Sequence, residues 1–299
     1  MHQIHIIDLI FLETEEAIAS FLIETTVGPI LIETGPNTTF GQLKLGIEKV
    51  GYKLEDIQHV LLSHIHFDHA GAAWEFANRG AKIYVHPVGL PHLNSPEKLW
   101  NSAAQIYGDD MDKLWGKMEP IDKSLLYAVS HEEVFEFGNV TFQALHTPGH
   151  AVHHIAWRLN DVIFTGDVGG VKINNGPVVP PCPPPDIHIE NWKKSIALIK
   201  SQEPKLLYLT HFGIVTDIES HLESLEALID DWANWMKPYF EQAKTPQEII
   251  PAFMEYTKSQ LVSKGVSNET MQVYEYANPS WMSVAGLLRY WKLKNQGRI

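Results

Sequence analysis

Four side chains able to hold a transition metal fall in one six-residue span of Ser63-His64-Ile65-His66-Phe67-Asp68-His69-Ala70-Gly71. His64 and His66 are two apart, so an extended backbone points both to the same side. Asp68 and His69 follow after a turn and address a neighbouring position. Imidazole combined with carboxylate suits zinc, iron, manganese or nickel. Three further donors come singly, each behind an apolar run that reads as a strand. They are His150 in Thr147-Pro148-Gly149-His150, Asp167 in Thr165-Gly166-Asp167, and His211 in Thr210-His211-Phe212-Gly213. Irregular backbone at a strand's carboxyl end can present such ligands.

These residues need a frame, and the hydrophobic pattern supplies one. Ile4 to Phe11, Ala17 to Glu24 and Ile30 to Glu33 read as strands, broken by acids, by Gly28-Pro29 and by the turn Thr34-Gly35-Pro36-Asn37. Gln42 to Val50 has helical spacing, and Ile57 to Leu62 is a buried strand that delivers the chain into Ser63-His64. A helix is expected from about Gly71 to Asn78, and a strand at Lys82 to Val85. Residues 89–121, with Trp100, Tyr107 and Trp115 among them, read as a helical insertion that either forms one wall of a pocket or simply packs on the domain. Strands return at Val134 to Phe137, Val140 to Leu145, His154 to Leu159 and Val162 to Phe164. A proline-rich loop (176–185), a helix from Ile189 to Ser201 and a strand from Lys205 to Thr210 follow.

The last part of the chain is helical, with Ile218, Leu222, Leu225, Ile229, Trp232 and Met236 on one stripe. Thr245-Pro246-Gln247-Glu248 combines an N-cap, a proline at the first helical position and a capping box. Ser280 to Lys294 is the expected final helix. This alternation predicts a four-layer αββα sandwich of two mixed sheets. The expected division is a catalytic domain over residues 1–215, insertion included, and a helical extension over 216–299.

Composition narrows the function. The 299 residues are 44% hydrophobic and 20% charged, ordinary for a globular protein, and the formal net charge is -13. An acidic surface repels phosphate backbones, which speaks against a nucleic-acid partner and for a small-molecule substrate. Cys182 is the one cysteine, so no intramolecular disulfide marks an oxidising compartment. No run approaches the ~20 apolar residues of a membrane span, and Met1 to Leu12 reads as a strand rather than a signal peptide. A cytoplasmic protein with no membrane partner is the expectation. Trp232 and Trp235 on neighbouring helix faces suit a homodimer interface and equally suit packing onto the core.

The order His-x-His-x-Asp-His, then His, Asp and His, resembles the metallo-β-lactamase superfamily, and the Thr-Pro-Gly-His and Thr-Gly-Asp contexts are similar to its glyoxalase II-like and lactonase-like members. The resemblance runs from about Ile18 to Gly213. It implies the metallo-β-lactamase fold and two divalent ions, with zinc expected and iron or manganese as alternatives. His64, His66 and His150 would hold the first ion, and Asp68, His69 and His211 the second. Asp167 and a hydroxide would bridge them. Asp68 and Asp167 are the expected catalytic carboxylates, Asp68 also orienting the nucleophile. A bridging aspartate rather than cysteine resembles the di-metal hydrolases, and histidine rather than glutamate at position 66 departs from the flavodiiron branch.

The expected reaction is hydrolysis of a lactone, thioester or ester, with a small phosphodiester or the iron chemistry of a persulfide dioxygenase relative as alternatives. Lactonase-like relatives use a tyrosine after the bridging aspartate, but no tyrosine lies between Asp167 and Lys205. Tyr107 from the insertion is expected in that role. His153, close behind His150, and His188, after the proline loop, are the other candidate substrate contacts. Glu33 and Asp8 are candidate acceptors for the second N–H of a ligating histidine. Arg289-x-x-Lys292 has the spacing that glyoxalase II-like enzymes use for glutathione carboxylates, although a solvated basic helix end is the simpler reading. Cys182 reads as a packing residue.

Overall fold

A computed structural model describes residues 3–299. The strands are β1 (Ile4–Asp8), β2 (Ala19–Ile23), β3 (Ile30–Ile32), β4 (His59–Leu61), β5 (Lys82–Val85), β6 (Leu126–Ala128), β7 (Val134–Phe137), β8 (Val140–His146), β9 (Ile155–Leu159), β10 (Val162–Phe164), β11 (Leu206–Leu209) and β12 (Gly213–Val215). The helices are α1 (Phe40–Val50), α2 (Phe67–Ala70), α3 (Ala73–Ala77), α4 (Leu90–Asn94), α5 (Glu97–Tyr107), α6 (Met111–Trp115), α7 (Ile189–Ser201), α8 (Ile218–Glu241), α9 (Pro246–Ser263), α10 (Asn268–Ala277) and α11 (Ser280–Asn295). The strands form two six-stranded sheets, in the orders β1-β2-β3-β4-β5-β6 and β12-β11-β10-β9-β8-β7. Both sheets mix parallel and antiparallel pairs, so the fold is the expected α/β sandwich with a helical C-terminal region. Among the described residues no helix is long and apolar enough to cross a membrane.

The chain divides into two compact units. One runs to His146 and adds Ile155–Asn160; the other holds Thr147–His154 and Asp161–Ile299. In the first unit β1, β2 and β3 pair antiparallel, and β3, β4, β5 and β6 pair parallel. The central strands read as near-continuous apolar runs because they are covered on both faces. Trp157 of β9 is fully buried and donates its indole N–H to the Leu62 carbonyl at 3.0 Å. Ile155 donates its backbone N–H to the Ser63 carbonyl at 2.7 Å. Both bonds hold the segment that leaves β4 for His64.

The helix expected over 71–78 is the shorter α3, and a separate short helix that was not expected, α2, precedes it. The backbone N–H of Ala72 donates to the Gly35 carbonyl rather than up the helix, which interrupts the ladder. Asp68 and His69 consequently sit on a helical turn. The insertion is helical as expected, made of α4, α5 and α6. Trp115 stacks on Phe11 and Phe67 and meets Tyr107 edge-on, while Trp100 meets Phe67 edge-on.

In the second unit β10 pairs parallel with β11, and β11 antiparallel with β12. Strands β6 and β12 were not expected; three residues are too few to display a period. The α8 stripe is buried at Leu222, Leu225, Ile229, Trp232 and Met236. Trp232 packs edge-on against Phe253 of α9 and donates its N–H to Gln260, so it lies within the helical layer. Thr245 and Glu248 form the expected capping box, with Pro246 opening α9.

Candidate metal centre

The first donor set belongs to the first unit and follows β4. His66 has extended backbone (φ −62°, ψ 153°), and α2 begins at the next residue. Extended geometry carries the His64 and His66 side chains to one side, where His64 Nε2 lies 2.8 Å from His66 Nδ1. The His64 ring centroid is 4.4 Å from that of His66 and 4.0 Å from that of His69. From α2, Asp68 places Oδ2 3.7 Å from His69 Nε2.

Glu33 orients this set. It stands just beyond β3 in left-handed backbone (φ 62°), which a non-glycine residue holds only where its surroundings impose it. Its carboxylate is 1% exposed, accepts the Ser63 backbone N–H at 3.3 Å, and lies 3.2 Å from His69 Nδ1. Glu33 thus faces the Nδ1 edge of the His69 ring, while Nε2 faces Asp68. The Thr34 backbone and hydroxyl both donate to the His69 carbonyl. Ser63 Oγ lies 2.9 Å from His64 Nδ1.

The second set belongs to the second unit. Gly149 has φ 144°, and a Cβ there would run into the Trp192 backbone, so the turn before His150 requires glycine. His150 Nδ1 lies 2.9 Å from the Pro181 carbonyl oxygen. A carbonyl can only accept, so Nδ1 carries the proton and Nε2 presents the lone pair. Asp167, in the turn after β10, reaches two histidines: Oδ2 is 3.3 Å from His150 Nε2 and Oδ1 is 3.4 Å from His211 Nε2. One carboxylate thus offers an oxygen to each imidazole. Buried imidazole nitrogens converging on carboxylate oxygens at such distances form a donor set that fits divalent transition metals.

A model of the metallo-beta-lactamase superfamily matches residues 14–211. The chain belongs to that superfamily. A metallo-beta-lactamase fold-containing protein of Sulfurisphaera tokodaii is 31% identical over 181 residues, 58% of this chain and 67% of the relative. An atrochrysone carboxyl ACP thioesterase of Aspergillus chevalieri is 26% identical over 209 residues; the match takes in 68% of this chain and 54% of that protein, so it spans about half of the relative's length. The crystal structure of a metallo-beta-lactamase family protein from Thermus thermophilus superposes with a TM-score of 0.71 at 18% identity, over 98% of this chain and 94% of that one, a likeness of fold.

Around this metallo-beta-lactamase centre the remaining candidates fall in different places. Tyr107 ends α5, and burial, then the charge of Asp68, pushes its hydroxyl well above the usual phenol range. His188 caps α7, its Nδ1 accepting the Asn191 backbone N–H at 3.3 Å. His153 is buried in the loop 147–154 that carries His150. Asp8 is not a partner of a ligating histidine: it accepts the backbone N–H groups of Ile10 and Glu16 and holds the turn after β1. Arg289 donates to the Pro185 carbonyl at 2.8 Å, so it braces the proline loop. Cys182 is buried and its thiol pushed up by desolvation, as befits a packing residue.

The sequence reading missed His221. On α8 it lies among the apolar stripe, donates Nε2–H to the Gly169 carbonyl at 2.8 Å, and holds the turn that carries Asp167. Desolvation outweighs that hydrogen bond and pushes its pKa down to about 4, so it stays neutral. A histidine inside an apolar stripe was the available signal.

Glu33 carries a direct prediction. Glu33→Ala leaves the Ser63 backbone N–H without its carboxylate acceptor, removes the group 3.2 Å from His69 Nδ1, and is expected to lower zinc affinity about 10–100-fold. Glu33→Gln keeps an acceptor and loses less. Competition of the folded variants with a chromophoric chelator measures this, and wild-type affinity in Glu33→Ala would remove Glu33 from the centre.

Proposed function

We propose that this chain is a metal-dependent hydrolase that cleaves a carboxylic acid derivative of a small molecule, a lactone, thioester or ester, on a dinuclear centre. The observation that carries the reading is the double reach of Asp167: its Oδ2 lies 3.3 Å from His150 Nε2 and its Oδ1 3.4 Å from His211 Nε2. One buried carboxylate that offers a separate oxygen to each of two imidazoles is what a pair of ions sharing a carboxylate would require. The imidazole-rich set favours zinc over magnesium or calcium. Bound there, such ions supply a Lewis acid for the substrate oxygen and bring the pKa of a water down to ~7.

The chain's own residues do the rest. Asp68 is the carboxylate of the two that reaches solvent, its side chain 20% exposed, so it can orient the attacking water and take a proton from it. Tyr107 stays a neutral phenol at working pH and can donate a hydrogen bond to the substrate carbonyl from beside Asp68. Phe67, Trp100 and Trp115 form an aromatic wall next to it, which suits an acyl group and excludes water. The net charge of -13 and the thioesterase relative lean the same way, away from phosphate.

The test follows proton release with an indicator on zinc-loaded protein across lactones, thioesters, esters and phosphodiesters. Turnover of one carboxyl class at a kcat/KM of ~10⁴ M⁻¹s⁻¹ or better is expected. Turnover of phosphodiesters alone, or of nothing with zinc, iron or manganese loaded, would sink the reading.

A further inference from the structure

We infer that the C-terminal helices are part of the metal-holding apparatus: α10 and α11 hold the proline-rich loop so that the Pro181 carbonyl orients His150. The inference rests on the metal-centre reading above and concerns residues outside the ligand set.

The contacts form one chain within the second unit. His150 Nδ1–H donates to the Pro181 carbonyl. Proline itself has no N–H, so the run Pro180-Pro181-Cys182-Pro183-Pro184-Pro185 forms almost no ladder of its own and depends on outside partners for its position. Those partners come from the last two helices and from Asn278 in the link between them. Tyr274 donates its hydroxyl to the Pro177 carbonyl at 2.6 Å, Asn278 its side-chain N–H to Pro180 at 3.3 Å, and Arg289 its Nε–H to Pro185 at 2.8 Å. Between them Gly286 lets α11 lie directly on the loop, where a Cβ would collide with the Cys182 carbonyl. The loop is thus held on both sides of Pro181.

The chemical consequence is local. A neutral imidazole has one N–H, and the nitrogen that lacks it is the ligand. The Pro181 carbonyl keeps the proton on Nδ1 and turns Nε2 towards Asp167. A displaced carbonyl leaves both tautomer and ring angle unset, and outer partners of this kind tune metal affinity strongly. Tyr274, Asn278, Gly286 and Arg289 are positioning residues, acting on His150 through the loop.

Stepwise zinc affinity is read on the full chain, stripped of metal and titrated against a chromophoric chelator, with the stripped protein's thermal unfolding as a fold control. The Nδ1–H tautomer of His150 is read from its imidazole ¹⁵N shifts. Gly286→Ala is expected to lower affinity for one of two ions about 10–100-fold, leave the other unchanged and shift the His150 signals. Asn278→Ala, which adds no bulk, moves the same ion less and decides the matter if Gly286→Ala does not fold. Neither variant adds to the loss in His150→Ala, because coupled residues are non-additive. Wild-type affinity and an unchanged His150 signature in the folded variants would overturn the inference while leaving the centre intact, as would a loss shared equally by both ions. A wild-type chain that binds no zinc would overturn the metal-centre reading and the inference together.

Discussion

Asp167→Ala is expected to abolish turnover and to strip the centre. With the carboxylate gone, His150 and His211 both lose the group that stands 3.3 and 3.4 Å from their Nε2 atoms. The expected fall in kcat/KM is on the order of 10³-fold or more, about 4 kcal/mol of transition-state stabilisation. Metal analysis should find the two ions of the wild type reduced below one. Asp167→Asn keeps one oxygen that can face a cation and should retain more metal than alanine while remaining nearly inactive. A chain that kept two ions and turned over within about tenfold of wild type would show that Asp167 bridges nothing.

The second large effect is on stability. Trp157 is fully buried, meets Phe135 edge-on at 5.8 Å, and donates to the Leu62 carbonyl directly before Ser63-His64. Trp157→Ala removes the largest kind of side chain from the core and should cost about 3–5 kcal/mol. Trp157→Phe refills most of the space but leaves a buried carbonyl without its donor, at about 1–3 kcal/mol. Urea unfolding of metal-free protein ranks the three chains. Because Leu62 leads into the first two ligands, zinc affinity should fall with Trp157→Phe as well; a stability loss with unchanged zinc affinity would make Trp157 a core residue with no bearing on the centre.

Much of the centre was legible without a structure. Metal ligands come from a few residue types, and strands leave a period in the sequence, so seven donors behind apolar runs could be picked out one by one. The helix at Ile189–Ser201 was bounded correctly because its period is uninterrupted, and the strands at Val134–Phe137 and Val162–Phe164 because turn residues, Gly138-Asn139 and Asn160-Asp161, close or open their apolar runs. The same reasoning located the capping box at Thr245, where the signal is contained in four adjacent residues.

What the sequence could not decide depends on which distant atoms meet. Glu33 and Asp8 were equal candidates for a histidine's second N–H. The left-handed backbone at Glu33 turns one carboxylate to His69, while Asp8 is held by its own turn. The break between α2 and α3 comes from the Gly35 carbonyl taking the Ala72 N–H, a partner 37 positions away in the chain (72 less 35) that no local propensity reveals. The seven candidate donors could be named from local chemistry, since residue type and strand ends are written in order along the chain. Their orientation was decided by the fold, since the groups that face each imidazole's Nδ1, Glu33 for His69 and the Pro181 carbonyl for His150, lie 36 (69 less 33) and 31 residues (181 less 150) away and meet them only once the chain has packed.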